Sequence, residues 1–436
     1  MNSCIPPRRG PRRLLGLLGL LGLLSATTTS TSAVAAPPAA EHLTFEDGMQ
    51  AVVLPMPGSG QVSMRFVLRV GAKDDFARHA GLAHVVEHLV FHGTYQELEG
   101  KIFEDVYTKN AFINAYTSTD LTMYVLDADK ASFRPLAERY LKLVTNPALR
   151  LAKLDREKQV IDGEHQLRSV RSVVWALDQQ LFPSLNEGRT VIGSRLSRKD
   201  ISMVEVLKFY RQHYRPENVV AVFTGDITVD EAKSILDEGV LFPPQRAAVP
   251  TPETMEPNVP SEIKMRSPMQ SVAVGYAMDN VDEDTCRGLA MVAERRLMQA
   301  VVIDQPIAQH TDARCVSLRG KRLLLAVAFT SSPSSTELPE AVQSVVRGLR
   351  LRPPKARELK AIQKRQRTLV KRMHREPALA ADAISWAVGA QGANAADAAL
   401  RALRPVPLSK RKLDKAAVSQ IVPDKRFLLL LSPYEG

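Results

Sequence analysis

Six prolines, at 243, 244, 250, 252, 257 and 260, interrupt the middle of the chain, and neither a helix nor a central strand can run through them. Each fixes φ near −65° and removes a backbone donor, so residues 241–260 read as a semi-rigid linker between domains. At 436 residues the chain is too long for one ordinary core. The proline segment divides it into a body at 41–240 and another at 261–436.

The two bodies share a pattern. Gly81-Leu82-Ala83-His84-Val85-Val86-Glu87-His88-Leu89 in the first finds an echo in Gly288-Leu289-Ala290-Met291-Val292-Ala293-Glu294-Arg295-Arg296-Leu297 in the second. The Gly-Leu-Ala frame, an apolar pair and a glutamate recur, with Met291 and Arg295 where His84 and His88 stand. The second body is therefore expected to repeat the first fold without its polar pair. Alternation from Leu43 to Val70, broken at Asp47-Gly48 and at 57–60, predicts successive antiparallel strands. Helices are expected over 135–143, 151–170 and 200–213, with strands over 218–224 and 271–277. The fold class that results is α+β: two similar domains, each a mainly antiparallel sheet packed with helices.

His84 and His88 are four residues apart, so on a helix they lie on one face, near enough to share an ion. Glu87 projects beside them. Apolar residues surround all three, and burying such groups costs several kcal/mol unless something satisfies them. A catalytic zinc does so: it takes three protein ligands and keeps one position for water, and a neighbouring carboxylate can take that water's proton.

His-x-x-Glu-His is the inverted form of the zinc-peptidase motif, and from about Leu43 to the C-terminus the chain resembles the pitrilysin-like (M16) metallopeptidases. Four ordered segments carry the likeness: Gly81 to Thr94, Phe112 to Tyr124, Tyr214-Arg215-Pro216-Glu217-Asn218, and Gly225-Asp226. The resemblance implies one Zn2+ per chain, held by His84, His88 and Glu164, with Glu87 as general base. Glu157, seven residues before Glu164 and on the same helix face, would orient the site. Asn114 and Ala115 would lie on the edge strand where an extended peptide substrate adds itself through main-chain hydrogen bonds. His92 and His165 read as polar surface groups, or as supports behind the ligands, rather than as ligands. The family also uses an arginine and a tyrosine seven residues apart to steady the oxyanion. Here Val302 and Gln309 occupy those positions, which implies a heterodimer with a homologous M16-like subunit that supplies the pair, or else a homodimer. The resulting expectation is a zinc metalloendopeptidase, the catalytic subunit of a two-chain enzyme. A non-catalytic scaffold of the same fold is the alternative.

The N-terminus reads differently from the rest. Arg8, Arg9, Arg12 and Arg13 precede a Leu-Leu-Gly run from Leu14 to Leu24, and a Ser/Thr/Ala stretch leads to Ala33-Val34-Ala35. This is the order of a secretory signal peptide over 1–35, so a periplasmic or secreted protein is expected, with no integral span after cleavage. The formal charge of +11 falls to +7 once those four arginines leave. Much of the remainder lies between Arg347 and Arg375, read as one long amphipathic helix with a solvated basic face, or alternatively as a surface for an acidic partner. No aromatic residue interleaves these cations, so no nucleic acid is expected. Cys286 and Cys315 are free to pair in an oxidising compartment.

Overall fold

The computed structural model describes residues 39–432, apart from 77, 98, 169–190, 243–258, 260, 267–269, 319–320, 331–335 and 391–393. The signal peptide expected over 1–35 and nearly all of the linker expected over 241–260 lie outside the described residues. In the first half come β1 (Glu41–Thr44), β2 (Gln50–Pro55), β3 (Gln61–Leu68), α1 (Leu82–Val90), α2 (Lys101–Thr108), β4 (Phe112–Thr117) and β5 (Thr122–Asp129). They are followed by α3 (Lys130–Thr145), α4 (Leu151–Arg168), α5 (Arg195–Asp200), α6 (Met203–His213), β6 (Val219–Gly225) and α7 (Val229–Gly239). The second half holds β7 (Ser261–Arg266), β8 (Gln270–Ala277), α8 (Glu283–Leu297), β9 (His310–Leu318), β10 (Lys321–Thr330), α9 (Leu338–Leu351) and α10 (Ala356–Met373). It closes with α11 (Pro377–Ala390), α12 (Ala395–Ala402), α13 (Lys410–Gln420) and β11 (Arg426–Ser432).

The strands form two sheets, ordered β1-β2-β6-β3-β5-β4 and β7-β11-β8-β10-β9. Past β1 the orders correspond term by term. The β2/β6 and β7/β11 pairs are parallel and every other pair is antiparallel. Helix α1 falls between β3 and β4, and α8 between β8 and β9. The short sequence echo thus marks equivalent helices of two similar domains.

Three local expectations need correction. Strands β2 and β3 are consecutive in the chain, but β6 lies between them in the sheet; alternation along a strand reports its faces, not its neighbours. The helix expected over 200–213 begins at Met203, because Asp200 still ends α5 and Ser202 caps α6 by accepting from the Val204 amide. The long basic helix is two, α9 and α10, because Pro353 and Pro354 cannot carry the hydrogen-bond ladder across.

One face of the first sheet packs against α1 and α3, with Val53, Met64, Phe66, Tyr124 and Phe223 meeting Val86, Leu89 and Leu136 in a single core. The other face is covered from the second half of the chain. Ala380, Ile384 and Val388 of α11 repeat every fourth residue and, with the alanines of α12, bury Val52, Leu54, Val220 and Val222. Arg65 of β3, 2% exposed, fixes this contact: Nη1 donates to Asp127 at 2.6 Å and Nε to Asp382 of α11 at 2.7 Å. In the second half a disulfide joins Cys286 of α8 to Cys315 of β9, with Cα atoms 5.6 Å apart. Closing a loop of this length is worth about 3–4 kcal/mol in the chain-entropy picture.

Each of the four covered side chains on the first sheet is worth roughly 1.5–3 kcal/mol when buried. Their sum rivals the whole stability of an ordinary domain, about 5–15 kcal/mol. Residues 39–240 expressed alone are therefore expected to aggregate or lack a cooperative thermal transition. A soluble fragment that melts like the full chain would contradict this packing argument.

Candidate metal centre

Helix α1 begins where Gly81 adopts φ +94°, a left-handed conformation that side chains disfavour. A Cβ there would meet the Ile192 carbonyl oxygen at 2.7 Å. The buried Asp75 carboxylate accepts from the Gly81 amide at 2.7 Å and the Ala83 amide at 2.8 Å, satisfying donors that a helix start leaves open. The helix is buried nearly all round, His84 and Glu87 included. Its histidine rings stand 4.7 Å apart and nearly perpendicular.

Helix α4 brings two carboxylates to this face. The Nε2 atoms of His84 and His88 each lie 3.8 Å from an oxygen of Glu164, and one ligand atom from each of the three residues lies within 4.8 Å of the others. An ion about 2.1 Å from each donor is reached with small side-chain rotations, so this donor set fits a divalent metal. Glu157, two turns earlier, takes the far side of His88: its Oε2 is 3.0 Å from Nδ1. With Nδ1–H donating to that carboxylate, the Nε2 lone pair is turned toward Glu164, the tautomer that a metal requires.

The network continues outward. The other oxygen of Glu157 is 2.9 Å from His92 Nε2, His92 Nδ1 is 2.8 Å from Glu99, and Glu99 meets Lys153 Nζ at 2.5 Å. The hydrogen bond from His88 holds Glu157 below the usual carboxylate range, with His92 adding to it. Burial alone would depress the His88 imidazole. The hydrogen bond with Glu157 and the charges of Glu87, Glu164 and Glu157 outweigh it and raise the pKa above its ordinary value.

Glu87 faces the same space, where its Oε2 accepts from the Thr117 hydroxyl at 2.6 Å. Thr117 ends β4, the outermost strand of its sheet among the described residues. On that strand the Asn114 side chain accepts from the Ala115 amide at 2.9 Å and donates to the Tyr116 hydroxyl at 2.9 Å. His84, Glu87, His88, Asn114, Ala115, Glu157 and Glu164 all line one cleft of about 910 Å³. Every site residue expected from the sequence is thus brought together. Val302 lies in a π-helical turn over Met298–Asp304 and Gln309 just before β9; neither lines the cleft. His92, read as a polar surface group or a support behind the ligands, takes the second role: it is buried and bonded to Glu157. Sequence reasoning missed Thr117, Glu99 and Lys153, as well as the cleft wall that Arg314, Val316, Ser317 and Trp386 supply from the second half. Nothing in their spacing signals these contacts. The side chain of His165 lies outside the described residues.

Residues 52–185 match the family model described as insulinase (peptidase family M16), and residues 200–366 match the peptidase M16 inactive domain. The chain is 25% identical over 252 residues to a probable mitochondrial-processing peptidase subunit beta of Schizosaccharomyces pombe, covering 54% of each. It is 24% identical over 227 residues to the zinc protease PqqE of Helicobacter pylori, covering 50% of this chain and 51% of that one. These matches span about half the length of the curated relatives. The fold is that of a protease from Helicobacter pylori, with a TM-score of 0.80 at 18% identity over 91% of this chain and 100% of the other. No helix among the described residues is long and apolar enough to cross a membrane. The chain belongs to the M16 peptidase family.

Proposed function

We propose that this protein is a zinc-dependent metalloendopeptidase that hydrolyses peptide bonds in extended polypeptides. One observation carries the reading: two imidazoles and the carboxylates of Glu164 and Glu87 converge on a cleft bordered by the edge strand β4. His84, His88 and Glu164 would hold the zinc, which when bound supplies Lewis acidity toward a water and a carbonyl oxygen. Glu87 takes the proton of the attacking water and passes it to the leaving amine as the C–N bond breaks. Thr117 fixes the Glu87 carboxylate at the end of β4, and Glu157 holds His88 in its ligand tautomer. The peptide lies along β4 by main-chain pairing, and its arrival has to swing the Asn114 amide off the Ala115 N–H.

No arginine–tyrosine pair stands at Val302 and Gln309 to steady an oxyanion. We therefore infer that a homologous subunit supplies it, and the match to a relative named as a beta subunit supports that reading. The Cys286–Cys315 disulfide suits an oxidising compartment, which together with the leader pattern supports a periplasmic or secreted location. A non-catalytic scaffold would have no use for the complete set of His84, Glu87, His88 and Glu164.

Glu87→Gln is expected to keep one zinc per chain by elemental analysis while losing turnover by about 10²–10⁴-fold; unchanged turnover would remove the base assignment. Glu157→Gln should weaken zinc binding about 10–100-fold in competition with a chelator. Because His88 is raised above 6.5 in the metal-free site, protons compete with the ion. Zinc affinity should therefore fall with falling pH, beginning above the ordinary histidine range, whereas a flat profile from pH 8 to 6 would count against His88 as a ligand. Purified alone, the chain should cleave poorly until a companion of similar fold is added, and full activity in isolation would refute the pairing.

A further inference from the structure

Strands β4 and β9 end their sheets at equivalent positions, and both border the cleft. On β4 the faces alternate. Ile113, Ala115 and Thr117 lie on the metal side, where Thr117 meets Glu87. Phe112, Asn114 and Tyr116 lie on the other side, where Asn114 pairs with Val125 and Tyr116 with Met123. That second side is the one α11 covers through Arg65 and Asp382. Trp386 follows Asp382 by one helical turn and, 47% exposed, looks into the cleft.

Arg314 of β9 lines the same cleft. It is the only lysine or arginine among the described residues that line the cleft. The carboxylates opposite are already engaged: Asp120 with Lys73, Glu99 with Lys153, Glu157 with His88 and His92. Arg314 is 69% exposed, and its Nε donates to Asp312 at 2.5 Å, which orients the guanidinium. Its two terminal nitrogens have no partner among the described residues. They present the planar fork that a carboxylate binds through two parallel hydrogen bonds.

We propose that Arg314, which lines the cleft together with Trp386 and Tyr116, selects peptides that place a carboxylate on the side of the bound strand facing away from the metal. This deepens the peptidase reading and rests on it for the position of the peptide along β4. The carboxylate is that of an acidic side chain or of the peptide's own C-terminus. An extended peptide sends alternate side chains to opposite faces, so the preference must fall on one parity of position.

The test uses the full chain carrying Glu87→Gln, loaded with zinc, and fluorescein-labelled nonapeptides of alanine and leucine. One residue at a time is replaced by Glu, Gln or Lys, with the C-terminus free or amidated. Anisotropy should show Glu favoured over Gln by about fivefold at one position or at positions of one parity. Adding Arg314→Gln should abolish the preference, and Arg314→Glu should turn it toward Lys, with zinc content unchanged. A preference surviving only in the free-acid series would assign the C-terminus as the ligand. Identical Glu, Gln and Lys affinities in all three proteins would overturn the proposal, as would an equal loss for all peptides in the variants. Cleavage by the chain with Glu87 intact, read separately with its companion present, decides the peptidase reading itself. Charge-selective binding without cleavage would sink that reading alone, whereas cleavage indifferent to Arg314 would sink only this one.

Discussion

The carboxylate of Glu157, shared between His88 and His92, is the interaction on which the site depends. It ties α4 to α1, sets the face that His88 turns toward Glu164, and carries the connection on to Glu99 and Lys153. Buried imidazoles and carboxylates are costly when left alone, and here each is answered by the next along a line that ends at a lysine. The rigidity matters as much as the charge. Donors 3.8 Å apart serve one ion only if their rings are held still.

The two repeats use the same framework in different ways. In the first, the helix after the third strand carries the histidines and reaches the edge strand through the Glu87–Thr117 hydrogen bond. In the second, the equivalent helix and edge strand are joined covalently by Cys286 and Cys315. The first repeat thus keeps polar chemistry at this junction, and the second trades it for a fixed wall. The cleft is asymmetric for that reason, with reactive groups on one side and shape and charge on the other.

How much of this was legible in the sequence follows from how far each contact reaches along the chain. His84, Glu87 and His88 are close neighbours whose geometry the helical repeat dictates, and the duplication showed in a string of nine residues. Glu157, Glu164, Asn114 and Ala115 could be named only through likeness to a known family, since no spacing rule links them to His88. The Thr117–Glu87 and Glu99–Lys153 bonds are side-chain meetings set by packing, and Arg314 and Trp386 arrive from more than 190 residues beyond β4. Charge pattern misled at α9 and α10, where the run of basic residues suggested continuity that Pro353 and Pro354 forbid. The place of β6 between β2 and β3 is a property of the assembled sheet, and nothing within either strand encodes it.

The sheet beside the histidines is roofed by α11 and α12, which are made more than 150 residues after its last strand. A nascent chain therefore carries an uncovered apolar surface, Val52, Leu54, Val220 and Val222, until residue 402 has followed it. Completion of the half that carries the histidines waits on α11 and α12, so a product ending before them has an unfinished scaffold beneath its histidines. Order of manufacture becomes a safeguard, and it leaves a stretch of time during which the unroofed sheet is prone to stick to its own kind.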